Sequence, residues 1–169
     1  MRLPGKNDVL RGALEALEHL GLTCEEHRDA VELLRPIHAH TIRFLEGRRD
    51  ETCVLFALSL TDQSEYRELA EIDIYAGKQF MHWVTPRLTE ITAPKPGCLI
   101  HYYAADEWQH VGVMQSLSRV ESKWGTFGRF EHELWEVPAD YGDQLVFHER
   151  PTPEQSLGLF LDYADAHYG

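Results

Sequence analysis

A turn at Pro94-Lys-Pro-Gly97 splits the chain into two stretches of different hydrophobic rhythm, and this break constrains the fold more than any other feature. Before it, apolar residues recur at three- and four-residue steps, the spacing of one helix face. Val9, Leu10, Ala13, Leu14, Leu17 and Leu20 form one such series, closed by Gly21 as a C-cap. A second helix is expected over residues 24–45, with Ala30, Val31, Leu34, Ile37, Thr41 and Phe44 or Leu45 inward and Pro36 bending or dividing it. A third, over residues 53–60, is apolar all round and therefore buried. Residues 63–90 read as helix and loop.

After the turn the pattern becomes that of strands. Cys98-Leu-Ile-His-Tyr-Tyr, Gln109-His-Val-Gly-Val-Met-Gln and Ser118-Arg-Val-Glu-Ser-Lys-Trp are rich in strand formers, and Gln144-Leu-Val-Phe-His-Glu supplies a fourth strand. Glu133-Leu-Trp-Glu-Val reads as a short helical turn closed by Pro138. Thr152-Pro153 opens a final helix, with Thr152 as N-cap and Pro153 at the first helical position. Helices, then an antiparallel meander, then a closing helix define an α+β chain. The expected organisation is a helical N-terminal extension, residues 1–49, and an α+β domain, residues 50–169.

Composition narrows the partners. Of 169 residues, 28 are acidic and 16 are Lys or Arg, a formal net charge of -12 at pH 7. Such a surface repels phosphate backbones and anionic headgroups, so neither nucleic acid nor a membrane is expected as partner. The start, MRLPGKNDVL, lacks the apolar core and cleavage site of a signal peptide, and apolar runs fall far short of the roughly 20 residues of a spanning helix. The expected location is the cytoplasm. Cys24, Cys53 and Cys98 are too few and too widely spaced for a disulfide framework or a zinc site. His38 and His40 fall on opposite faces of a strand or about 100° apart on a helix, poor for one metal ion; the pairs Cys24/His27 and His19/Cys24 lack further ligands at structural-zinc spacing, and no glycine-rich phosphate loop occurs. Neither metal nor cofactor is expected.

Two residues stand out chemically. Cys53 falls in the first turn of the buried third helix, where the helix dipole favours a thiolate; the alternative is a core cysteine behaving as a small hydrophobe. His110 opens His110-Val111-Gly112-Val113, a strand that sets His110 and Gly112 on one face. Glycine there leaves room for a substrate or a helix terminus to approach the imidazole.

A helix-opening cysteine, a Pro-Gly turn into a strand, His-Val-Gly-Val on the next strand and then a further hairpin strand resemble the NlpC-type cysteine peptidases of the papain-like group. The resemblance spans roughly residues 50–150. It implies a papain-like fold in which Cys53 is the nucleophile, His110 the base, and a polar residue on the following strand orients the imidazole. That residue is Glu121 if Val120 takes the apolar site, Ser122 if the hairpin is one residue longer, or His132 if the chain folds back. The chain departs from the family pattern in having Gly97-Cys98 where Gly-Asp is usual, and Glu51-Thr52-Cys53-Val54-Leu55 around the cysteine. Ser122-Lys123-Trp124-Gly125, Glu131-His132-Glu133-Leu134 and Tyr141-Gly142 are similar to the Ser-Lys-x-Gly, Glu-His-x-Leu and Tyr-Gly elements of small, mostly uncharacterised bacterial proteins of the same group.

Two functions follow as expectations. One is a thiol hydrolase, a cysteine peptidase or amidase, with Gly112, Trp124 and His132 lining the site of a peptide or protein amide substrate. The other is a non-catalytic interaction protein on the same fold, an immunity or defence-associated factor, whose acidic surface binds a basic protein partner.

Overall fold

The computed structural model describes residues 7–169. Residues 1–6, part of the segment from which the lack of a leader was read, lie outside the described residues. Helix α1 (Asp8–Glu18) opens where Asn7 Oδ1 accepts the Leu10 N–H at 3.0 Å. Helix α2 (Cys24–Leu33) opens on a reciprocal capping box between Thr23 and Glu26. Pro36 sits in the first turn of a separate short helix, α3 (Arg35–His38), where its missing N–H costs nothing.

The helix expected over residues 24–45 therefore ends early. Residues Arg43–Gly47 form strand β1, which pairs antiparallel with β6 (Gly128–Glu133). Next come α4 (Cys53–Ala57), shorter than expected, α5 (Ser64–Glu71), α6 (Lys78–Val84) and the two-residue strand β2 (Glu90–Ile91). Strands β3 (Leu99–Ala104), β4 (Glu107–Met114), β5 (Arg119–Lys123) and β7 (Gln144–His148) fall where strand formers cluster. Helix α7 (Pro153–Tyr168) begins at Thr152, whose hydroxyl accepts the Gln155 N–H. The stretch after β6, read as a helical turn, contains no α-helix; it runs into a 3-10 turn at Ala139–Tyr141.

Among the described residues the strands form one antiparallel sheet in the order β1-β6-β5-β4-β3-β7-β2. Its centre is the β3–β6 meander, with β7 inserted beside β3. The architecture is α+β. No helix among the described residues is long and apolar enough to cross a membrane.

Alternation along the central strands feeds two cores, one on each face. On one face Leu99, Val111 and Val113 pack with Val54, Leu58, Phe80, Met81 and Phe160, so α4, α6 and α7 cover this side. On the other, Ile100, Tyr102, Met114, Val120 and Phe130 pack with Leu10, Leu14, Val31 and Ile42. Of the expected N-terminal extension, residues 8–47 thus supply α1, α2 and β1 to the same body as the sheet. Arg11, 4% exposed, directs its guanidinium to the carbonyls of Val137, Pro138 and Gly142, fixing the Ala139–Tyr141 turn against α1. Gly142 adopts φ +95°, and a Cβ there would collide with the Tyr103 carbonyl at 2.0 Å, so the turn requires glycine.

Candidate functional site

The β4–β5 ladder is incomplete. Its register pairs Val113 with Glu121 and Met114 with Val120. The next pairs by that register, Gly112 with Ser122 and then Val111 with Lys123, are not bridged. Helix α4 packs on β4 at this parting. Its first residue, Cys53, is partly buried, and the backbone N–H groups of Val111, Val54 and Cys53 itself face its sulfur. Burial outweighs these donors and pushes the thiol up to about 11, so at neutral pH it keeps its proton. Position in the first turn does not give a standing thiolate here, because five residues of helix carry little dipole and the surroundings are apolar.

His110 directs its ring to the α1 side of the sheet, the same side as Tyr102, its cross-strand partner. The imidazole stacks on Tyr141, centroids 4.1 Å apart and planes 23° apart. It is 2% exposed, and its Nε2 has no hydrogen-bond partner among the described residues. Desolvation, and then the nearby His132 and His101, hold its pKa well below the usual imidazole value, so the ring is neutral. Tyr141 lies within electrostatic reach of Cys53 and hydrogen-bonds the Glu18 carboxyl of α1. Cys53 and His110 are not brought into contact: Cys53 packs with Val111 and Val113 on the α4 face of β4, whereas the imidazole lies with Tyr102 and Tyr141 on the opposite face.

The residues expected to orient His110 are engaged elsewhere. Glu121 accepts from Gln115 Nε2 at 3.1 Å and lies 3.8 Å from Arg129. It pairs with Val113 and so projects on the α4 side, away from the imidazole. Ser122 bonds a different histidine: its hydroxyl is 2.8 Å from His132 Nε2. His132 Nδ1 lies 2.7 Å from the Glu133 carbonyl, which only accepts, so Nδ1 carries the proton and Nε2 receives the Ser122 O–H. Trp124 Nε1 then donates to Ser122 Oγ at 3.0 Å. This Trp124-Ser122-His132 chain is fully buried, and burial holds His132 down to about 4.

The three residues expected to line a substrate groove also sit in the interior. Trp124 and His132 are 0% exposed. The space over Gly112 is filled by β5: a Cβ there would stand 2.8 Å from Val120 Cγ1 and 3.0 Å from Ser122 Cβ. Glycine at this position permits close strand packing, not substrate entry.

Residues without a clear sequence signal complete the site. Glu51, 2% exposed, receives Arg129 through two bonds of 2.7 and 2.9 Å and the Thr61 hydroxyl at 2.6 Å, anchoring the chain just before Cys53. Lys123 is 0% exposed and donates to the Gly125 carbonyl at 2.8 Å. Of the three motif elements noted in the sequence, Tyr141 stacks on His110, while His132 lies on β6 with β5 between it and His110, and Lys123 acts on Cys53 only electrostatically. Sequence alone marks these motifs but gives no distance between them.

Glu15, His19 and Asp140 are the group among the described residues whose potential metal-ligand atoms lie within 4.8 Å of one another, at the surface by α1. His40, by contrast, is a structural histidine, with Nε2 2.8 Å from the Val31 carbonyl and Nδ1 accepting the Ile42 N–H.

The fold and site define an α+β protein with an antiparallel sheet and a thiol seated where two central strands part. No family model, curated protein or solved structure matches the chain.

Proposed function

We propose that the chain is a thiol hydrolase of amide bonds, with Cys53 as nucleophile and His110 as general base. The observation that carries this reading is the seating of the Cys53 sulfur against the Val111 N–H, one residue beyond a buried histidine that has an unpartnered nitrogen. Orphaned polar atoms in a core cost about 1–3 kcal/mol, and catalytic roles are among the reasons for keeping them.

Burial leaves both groups uncharged, which suits concerted activation. Because the sulfur and the imidazole lie on opposite faces of β4, the reading requires the thiol to enter through the unbridged β4–β5 stretch, where its proton passes to the imidazole as sulfur bonds the substrate carbonyl carbon. The tetrahedral centre then expels the amine, which takes that proton, and water hydrolyses the thioester. The Val111 N–H can serve the sulfur or the nascent oxyanion. Substrates are peptide or protein amides, in keeping with the NlpC-type resemblance. The papain-like fold belongs to this proposal as well.

The test is covalent capture. Incubation with peptide amides and electrophilic amide analogues should give an adduct on Cys53 by intact mass, lost in C53S and slowed at least tenfold in H110N. Absence of any adduct and of amide turnover sinks the hydrolase reading.

A second reading has its own support. The uncharged resting state of Cys53 and His110 and the excess of acidic side chains favour a non-catalytic protein that binds a basic protein partner. Salt-sensitive binding to such a partner, unchanged in C53S, would establish it in place of the first.

A further inference from the structure

A cavity of about 570 Å³ opens between α7 and the chain that follows the 3-10 turn Thr85–Arg87. Gln155, Gly158, Leu159 and Asp162 recur at three- and four-residue steps, so one stripe of α7 forms a wall. Residues 87–89 and 149–151 form the rest. The volume is that of a small-molecule site.

Two arginines line this cavity, and neither has a carboxylate within 4.0 Å among the described residues. Seven other arginines of the chain do have one. Arg150 is half-buried and fixed in place. Its Nε donates to the Ala57 carbonyl at 2.8 Å, and its Nη2 to the Phe56 carbonyl at 3.3 Å and to Ser59 Oγ at 3.1 Å. Those bonds cap the end of α4 and leave the N–H groups of Nη1 for another acceptor. Arg87 is held flat, its guanidinium 3.8 Å from the centre of the Trp83 ring, with Nη1 donating to the Trp83 carbonyl. Its Nε and Nη2 keep the side-on fork that matches a carboxylate. Gln155 adds a donor: its Oε1 accepts the Thr152 N–H at 2.9 Å, which leaves the amide NH2.

The remaining wall selects among anions. Lys95 neutralises Glu149, so Asp162 is the one carboxylate set against the two guanidiniums, and the wall carries a single positive charge in excess. That balance suits a monoanion better than a phosphate dianion. Leu88, Pro151 and Leu159 supply an apolar side, and Gly158 leaves it open, since a Cβ there would meet no atom within 4 Å. We propose that this cavity binds a small monocarboxylate with an apolar body, its head on the Arg87 fork and Arg150 Nη1 and its body along Leu88, Pro151 and Leu159. Such a carboxylate is either a free acid or the end of a peptide. The site does not depend on Cys53 or on the hydrolase reading.

The experiment is a backbone amide chemical-shift titration of the whole chain with four probes: N-acetylleucine, N-acetylleucinamide, 4-methylpentanoate and inorganic phosphate. N-acetylleucine should shift the Gln155, Gly158 and Leu159 amides with a Kd of about 1 mM, the affinity expected for so small a ligand. Its amide, which lacks the charge, should bind at least about tenfold more weakly. Equal binding of 4-methylpentanoate identifies a free acid, and binding of N-acetylleucine alone identifies a peptide end; either supports the proposal. R87M should weaken binding about tenfold. G158L should weaken it by at least as much by filling the cavity, with a urea midpoint no lower than wild type, because leucine favours the helix. Arg150 stays unchanged in these variants because it also caps α4. No shift at the cavity amides by about 30 mM carboxylate overturns the inference. So do equal binding of N-acetylleucinamide, tighter binding of phosphate, or wild-type affinity in both variants.

Discussion

The imidazole of His110 and the phenol ring of Tyr141 lie nearly parallel, 4.1 Å between centroids, although 31 residues of chain separate them. The contact ties the middle of β4 to the Ala139–Tyr141 turn, and the Arg11 guanidinium ties that turn to α1. The orientation of His110 thus depends on a ring stack and not on the Ser122 or Glu121 side chains.

Ring and hydroxyl of Tyr141 make separable contributions. Y141F keeps the stack and loses only the bond to Glu18, so it should cost about 1 kcal/mol. Y141A removes a buried aromatic ring beside His110 and should cost about 3–5 kcal/mol. Urea unfolding monitored by tryptophan fluorescence measures both. Equal losses in the two variants would mean that the stack contributes nothing.

Glu18 predicts a distinctive pH response. Desolvation and the adjacent Asp140 raise its carboxyl from the ordinary carboxylate range to about 8. A raised folded pKa means that the native state holds a proton which the unfolded state has released. The stabilisation is complete below about pH 4.5 and is lost as pH rises through about 8. The difference in urea midpoint between wild type and E18Q should therefore change steadily across this window, wild type losing ground as pH rises. A constant difference would refute the assignment.

His27 gives the opposite sign. It is 0% exposed, stacks on Phe127 at 3.9 Å and 5°, and neither ring nitrogen has a hydrogen-bond partner among the described residues. Burial depresses its pKa to about 4. Stability from this depressed group is present above about pH 6.5 and is lost as pH falls through about 4, because the unfolded chain takes up the proton first. Replacing it by an apolar ring removes both the orphaned nitrogens and the linkage. H27F should be more stable than wild type at pH 7, and its advantage should grow by about 1–2 kcal/mol by pH 5. An advantage that shrinks on acidification would show that His27 is protonated in the fold.

Legibility followed the physics of each element. Capping boxes made the starts of α2 and α7 readable, since their residues are local in sequence. Strand β1 was not readable as such: Thr41 and Phe44 or Leu45 fit a helical series, and pairing with β6 overrides it. Strand β6 was missed although Gly128, Phe130 and His132 alternate with Arg129, Glu131 and Glu133 between interior and outer positions. The charged residues masked the period because they form ion pairs above the sheet, such as Arg119 with Glu131 at 3.1 Å. At the site, order along the chain singles out Cys53 and His110 but not which face of β4 each occupies, and the fold sets them on opposite ones. Lys123 and Glu51 carried no such signal, because burial of a charged residue is a tertiary fact.

The anchor beneath Cys53 can be tested as a cycle. Arg129 binds both carboxylate oxygens of Glu51, whose side chain is 1% exposed, while the guanidinium covers the Phe56 ring at 4.5 Å. Removing one partner strands a buried charge, so R129M should lose about 3–5 kcal/mol. E51Q leaves the cation, which is partly exposed and can turn to Glu46, 3.5 Å from Arg129 Nη1, or to Glu121. Its cost should therefore be smaller, about 1–3 kcal/mol. In the double variant the stranded carboxylate is gone and the methionine still packs on Phe56, so much of the R129M loss should return, a coupling of at least about 2 kcal/mol by chemical denaturation. Additive losses would mean that solvent or Lys123 takes over the charge on Glu51. The same variants report on α4: if Glu51 fixes the chain entering Cys53, alkylation of Cys53 should accelerate in R129M as the helix start loosens, while labelling of Cys98 stays constant.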